Sequence, residues 1–145
     1  MRTRNIKPDA YGSLYKQDGV IFPVVSGDLV DFDIAGPFQN TRPDVAANRI
    51  NVFKSGVYQI TADVSVLLDD GQSVLFNINL CENGYLPLTG SYFDAINMST
   101  VTGKTVHAFL NVGDQVGIYL ADTFSPVGRP RYNRASLTVH LLDSY

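Results

Sequence analysis

Gly56-Val57-Tyr58-Gln59-Ile60-Thr61-Ala62-Asp63-Val64-Ser65-Val66 alternates without a break: Tyr58, Ile60, Ala62, Val64 and Val66 are apolar or aromatic, and Gln59, Thr61, Asp63 and Ser65 separate them. A period of two belongs to a strand with one face in a core and the other outside, and helical spacing does not fit it. The same alternation returns in Val74, Phe76, Ile78 and Leu80, in Val106, Ala108 and Leu110, in Val116, Ile118 and Leu120, and in Ala135, Leu137, Val139 and Leu141. Between these runs lie Asp69-Asp70-Gly71, Asn83-Gly84, Thr102-Gly103 and Val112-Gly113-Asp114, all dipeptides and tripeptides that close hairpins. Short strands at regular spacing with glycine turns predict a β-sandwich or barrel.

Weaker strand candidates are Tyr11 to Lys16, Val20 to Val25, Asp28 to Ile34, Arg49 to Phe53 and Tyr85 to Ile96, which brings the expected total to eight to ten. Almost no helix is expected, because no dozen residues show a 3.6-residue period. Two stretches read as long connections: Ala35 to Asn48, with Pro37 and Pro43, and Thr123 to Asn133, with Pro126, Gly128 and Pro130.

Composition agrees with one β-rich domain. The 145 residues are 45% hydrophobic and only 17% charged, with 12 Gly, 8 Phe and 8 Tyr, which argues against disorder and coiled coils. A net charge of −3 gives no electrostatic reason to expect nucleic acid as a partner. Basic residues gather at the start, in Arg2, Arg4, Lys7 and Lys16, and residues 1–9 are read as an N-terminal arm before a single domain over 10–145. The apolar run Gly19 to Val25 contains Pro23 and is too short for a signal segment or a membrane span, so neither a cleaved secretory signal nor membrane insertion is expected. The one cysteine, Cys81, has no zinc-type neighbours and reads as a small apolar filler.

Ile50 followed by Gly56-Val57-Tyr58-Gln59-Ile60-Thr61-Ala62 resembles the G-x-Y-x-F-x-F strand of the complement C1q and tumour necrosis factor superfamily. Leu110-Asn111-Val112-Gly113-Asp114-Gln115-Val116 is similar to its L-x-x-G-D-x-V motif, and Asn83-Gly84 falls where that family has a strand and NG hairpin. Ala10-Tyr11-Gly12-Ser13-Leu14 and Ala135 to Leu142 resemble its opening and closing strands. Ile60 and Ala62 stand where the family carries aromatics, and the chain most resembles bacterial and phage members, such as the C-terminal domains of spore-surface glycoproteins and fibre tips. The resemblance implies an all-β, ten-strand jelly-roll sandwich of two antiparallel sheets that associates as a homotrimer. It also implies strands bearing His107 and His140 on either side of the strand that starts at Gly56. Tyr11, Asp63, His107, Phe109 and His140 are then expected at the trimer seam; Phe109 and Tyr119, on the polar phase of their strands, hint at association.

Catalysis has little raw material. No G-x-S-x-G, P-loop, G-x-G-x-x-G, H-E-x-x-H or C-x-x-C occurs, and there are two histidines, so no enzyme is expected. Asp31/Asp33 and Asp69/Asp70 are oxygen-rich pairs of the kind calcium uses; neither fits an EF-hand loop, and Asp-Asp-Gly is explained as a turn, so no cofactor is expected. Asn97-Met98-Ser99 is a glycosylation sequon that matters only on a eukaryotic secretory route. Arg129, Arg131 and Arg134, with Tyr132 among them, are the densest positive patch outside the N-terminus and suit bidentate recognition of carboxylates or phosphates. The expected function is a non-enzymatic trimeric structural or recognition head on a spore, virion or other extracellular surface, binding a cell-surface glycan or protein by avidity through Arg129, Arg131, Tyr132 and Arg134. A secreted cytokine-like ligand of the same fold is the alternative reading, and a jelly-roll carbohydrate-active enzyme a weaker third.

Overall fold

The computed structural model describes residues 10–81 and 85–144. The expected arm over 1–9 and the Asn83-Gly84 hairpin lie outside the described residues. Twelve strands follow in chain order: β1 Tyr11–Lys16, β2 Phe22–Pro23, β3 Ile34–Ala35, β4 Thr41–Asp44, β5 Arg49–Val52, β6 Gly56–Leu67, β7 Ser73–Leu80, β8 Leu86–Pro87, β9 Phe93–Ile96, β10 Thr100–Leu110, β11 Gln115–Phe124 and β12 Arg131–Ser144. No helix occurs among the described residues. The count exceeds ten because β2, β3 and β8 are two-residue fragments at sheet edges.

All pairings are antiparallel, in two sheets. The first runs β10-β6-β12-β1-β3, with β2 also on β12; the second runs β4-β5-β11-β7-β8, with β9 also on β7. Alternation is what makes the sandwich: in β6 every even residue from Gly56 to Val66 is buried and every odd one is half-buried. Tyr58, Ile60, Val64, Leu137 and Val139 from the first sheet meet Phe76, Ile78, Val116, Ile118 and Leu120 from the second in one core. Phe93 stacks on Phe76 inside it, ring centres 5.2 Å apart. The fold is the expected all-β jelly-roll sandwich.

Several local expectations are corrected. Thr102-Gly103 is not a turn: Gly103 lies within β10 opposite Asp63, and a side chain there would come within 2.5 Å of the Ala62 carbonyl, so glycine permits the close pairing of β10 with β6. Ala35 to Asn48 is not one connection, because β4 forms there and pairs with β5 across Pro43 and Ile50. Pro43 is tolerated because β4 is the edge of its sheet. Asp28 to Ile34 is strand only at its end; Val30 N–H instead donates to Ile118 O at 2.8 Å, fastening this segment to the free side of β11. Thr123 to Asn133 is shorter as a loop than expected, since β11 continues to Phe124 and β12 begins at Arg131. Tyr85 to Ile96 divides into β8 and β9, and Leu80 is only half-buried.

Candidate functional site

The outward phase of the first sheet runs across four strands and is covered at Ser13 of β1, which is buried and donates to Pro37 O. The registers set His107, Gln59, His140 and Tyr11 side by side in one row across β10, β6, β12 and β1. The next row is Thr105, Thr61, Thr138 and Ser13, and the one beyond it is Gly103, Asp63, Ser136 and Tyr15. Thr61 and Thr105 share a hydroxyl hydrogen bond at 3.0 Å, and Ser136 donates to Asp63 Oδ2 at 2.7 Å. His107 Nε2 lies 3.4 Å from Gln59 Oε1. Phe109 is half exposed at the end of the same face, beside Val57. Tyr11, Asp63, His107, Phe109 and His140 therefore share one surface, which is dominated by hydroxyl, amide and imidazole groups.

In the three rows above the only formal charge is Asp63; the others on this face lie at its ends, Asp143 opposite Val57 in the Phe109 row and Arg131 and Arg134 at the far end. Arg134 is there because β12 carries a bulge between Tyr132 and Arg134, where two consecutive β12 positions in the pairing straddle the extra residue Asn133. In an unbroken strand Arg131 and Arg134 would point to opposite faces; the bulge turns both outward. Arg131 Nη2 lies 3.9 Å from Asp69 Oδ1, and its side chain is 43% exposed. Arg129 is exposed on the loop before β12. That loop is held by Gln72, fully buried, whose Nε2 donates to Ser125 Oγ and Val127 O, both at 3.0 Å, while its Oε1 accepts Asp69 N–H at 2.9 Å. Nothing in the sequence marked Gln72, because a polar residue beside an Asp-Asp-Gly turn reads as solvent-exposed.

Tyr132 departs from expectation. It is 1% exposed, its ring packs edge-on against Phe22 at 6.0 Å, and its hydroxyl accepts Asp31 N–H at 3.0 Å and donates to Asp31 Oδ2 at 3.4 Å. Burial pushes the phenol well above its ordinary range. It belongs to the core and offers no surface to a ligand. Tyr119 is not an aromatic of the first sheet's face: it packs against Tyr85, ring centres 4.5 Å apart and planes tilted by 32°.

The acidic pairs are engaged locally. Asp31 Oδ1 accepts from Asn48 Nδ2 at 2.8 Å, and Asp33 Oδ1 accepts from Gln17 N–H at 3.0 Å. Among the described residues no group of three or more His, Cys, Asp or Glu is placed to hold a metal ion.

No family model matches the sequence, and no curated protein matches it. Solved structures do match in fold. The globular domain of zebrafish complement 1qA protein superposes with a TM-score of 0.72 at 16% identity, covering 94% of this chain and 99% of that one. Eiger TNF from S. frugiperda superposes with a TM-score of 0.71 at 13% identity, covering 96% of each chain. At these identities the likeness is one of fold, and the chain is a C1q/TNF-like jelly roll.

Proposed function

We propose that this C1q/TNF-like jelly roll is a non-enzymatic recognition head that works as a homotrimer on a bacterial or phage surface assembly. The observation that carries the reading is the charge-poor centre of the first sheet's outer face, where Asp63 is the one charged residue in three rows. Rows of Thr, Ser, Gln and His on paired strands make a polar, mostly uncharged surface, and half-exposed Phe109 stands at its end. A face of small hydroxyl side chains with few charges packs closely against neighbouring subunits around an axis, because little desolvation opposes the contact. Three-fold closure uses one such face per subunit, and Tyr11, Asp63, His107, Phe109 and His140 lie in that seam. Arg129, Arg131 and Arg134, at the Arg131 end of β12, then recur three times around the axis. Three shallow basic sites on a common axis bind a repetitive carboxylate- or phosphate-bearing cell-surface glycan, or an acidic protein, by avidity.

Sedimentation equilibrium at micromolar concentration tests the assembly. The expected mass is three times the 15.9 kDa of the chain, and Thr61→Lys, placing a charge in the middle of the seam, is expected to yield monomer. A wild-type monomer refutes the trimer. The ligand is tested on an array of acidic glycans, where the Arg129→Ala, Arg131→Ala, Arg134→Ala variant is expected to lose binding while remaining trimeric. Undiminished binding by that variant refutes the role of the arginines.

A further inference from the structure

The second sheet has a cleft on its outer face, on the side of the sandwich away from the proposed seam. Its form follows from register. Leu75 of β7 pairs with Asp94 of β9 on one side and Asp122 of β11 on the other, and Ser73 likewise lies between Ile96 and Phe124. Only Ser73 is small between its large neighbours Ile96 and Phe124; the open trough there, lined also by Leu75, Asp94 and Asp122, has a volume of about 170 Å³. A bulge between Leu120 and Asp122 makes this arrangement. Before it, Gly117 and Tyr119 are the outward residues of β11; after it the parity changes, and Asp122 and Phe124 turn outward.

The walls differ from the floor in chemistry. Ile96 and Phe124 are 58% and 64% exposed, an unusual cost for two large apolar side chains facing each other over a serine. Asp94 and Asp122 stand on either side of Leu75, their strands two strand spacings apart, roughly 10 Å. Asp122 Oδ1 accepts only the neighbouring Thr123 N–H, at 2.9 Å. Among the described residues no basic side chain lies within ion-pair distance of either carboxylate.

We infer that this cleft binds an arginine side chain presented by a partner protein. The aliphatic stem of arginine lies between Ile96 and Phe124 and covers apolar surface that is otherwise wet. Its planar guanidinium offers donors on both sides, which two carboxylates flanking a trough can accept together, and Phe124 adds a ring face to the cation. A neutral ligand would fill the trough and leave both carboxylates unanswered. Because the cleft is on the second sheet, it stays open in a trimer closed through the first.

Titration of the ¹⁵N-labelled protein with the peptide acetyl-Gly-Arg-Gly-amide, followed by amide shifts, tests the inference. Saturable shifts are expected at Ser73 to Leu75, Asp94 to Ile96 and Asp122 to Phe124, with the rest of the spectrum unmoved. The Asp94→Asn, Asp122→Asn variant, whose changes are exposed and isosteric, is expected to bind about tenfold more weakly, as is the same peptide with citrulline in place of arginine. Phe124→Ala weakens binding by removing a wall. Shifts that fail to saturate or fall elsewhere, unchanged binding by the double Asn variant, or equal binding of the citrulline peptide or of glucose each overturn the proposal.

Discussion

Replacing Tyr132 with phenylalanine removes one oxygen atom from the core and separates two roles for this residue. The ring's edge-on contact with Phe22 survives, while the Asp31 carboxylate loses a donor and Asp31 N–H loses its acceptor. The lost bond costs roughly 1 kcal/mol and the orphaned N–H roughly 1 more, so Tyr132→Phe is expected to destabilise the fold by about 2 kcal/mol. At about 4 °C per kcal/mol for a chain of this size, the melting temperature falls by about 8 °C. Tyr132→Ala also removes the buried ring and costs about 3 kcal/mol beyond that. The phenol's raised pKa makes its own stability contribution vanish in alkali: it is present below about pH 10, where the unfolded phenol ionises, and is lost as pH rises toward the folded value. The gap between wild type and Tyr132→Phe therefore narrows above pH 10. Urea denaturation followed by circular dichroism, at fixed protein concentration, reads all of this. A loss under 0.5 kcal/mol for Tyr132→Phe, roughly the scatter of a neutral surface change, would refute the buried-hydroxyl account. So would loss of glycan binding by a variant that remains folded.

Two further outcomes concern the same framework. Gly56→Ala forces a Cβ into the Asp143 carbonyl and the Leu141 side chain, at a φ of 158°; because the obstacle is backbone, it is expected to cost about 3 kcal/mol, measured as a drop in the urea midpoint. Lys16 is buried, with Nζ 2.5 Å from Asp18 Oδ1 and 4.4 Å from the Phe22 ring centre, so Asp18→Asn leaves an uncompensated buried cation and lowers the urea midpoint at pH 7, whereas Lys16→Met is tolerated. The Asp18 carboxyl is held below its ordinary range by the hydrogen bond from Lys16 and then by Val20 N–H. Its contribution is present above about pH 4 and lost as pH falls through the folded value, so wild type and Asp18→Asn converge in acid.

The long strands were legible because each writes its burial in its own residues. The alternation from Gly56 to Val66 matches the buried and half-buried positions of β6 residue for residue, and Ala135 to Leu141 does the same in β12. The common face of His107, His140 and Tyr11 was legible through the resemblance, which ordered the strands. Tyr132 was misplaced because a period of two cannot be carried across an extra residue: Asn133 exchanges inside for outside, and its presence depends on how β12 pairs with β6. Pro43 was misread for a related reason, since whether a strand tolerates proline depends on its being at an edge, a property of the sheet.

By itself the sequence determined the two-faced strands, the absence of helix among the described residues and the charge-poor character of the chain, because apolar periodicity and composition are local properties that act before any partner strand is chosen. Only the tertiary structure decided which side chains become neighbours. The registers drew the His107-to-Tyr11 row into one line, and two bulges turned Arg131 with Arg134, and Asp122 with Phe124, onto shared surfaces. Cross-strand pairing is non-local: a single inserted residue changes the face of everything beyond it, and the partner strand, not the segment itself, determines where that insertion is accommodated.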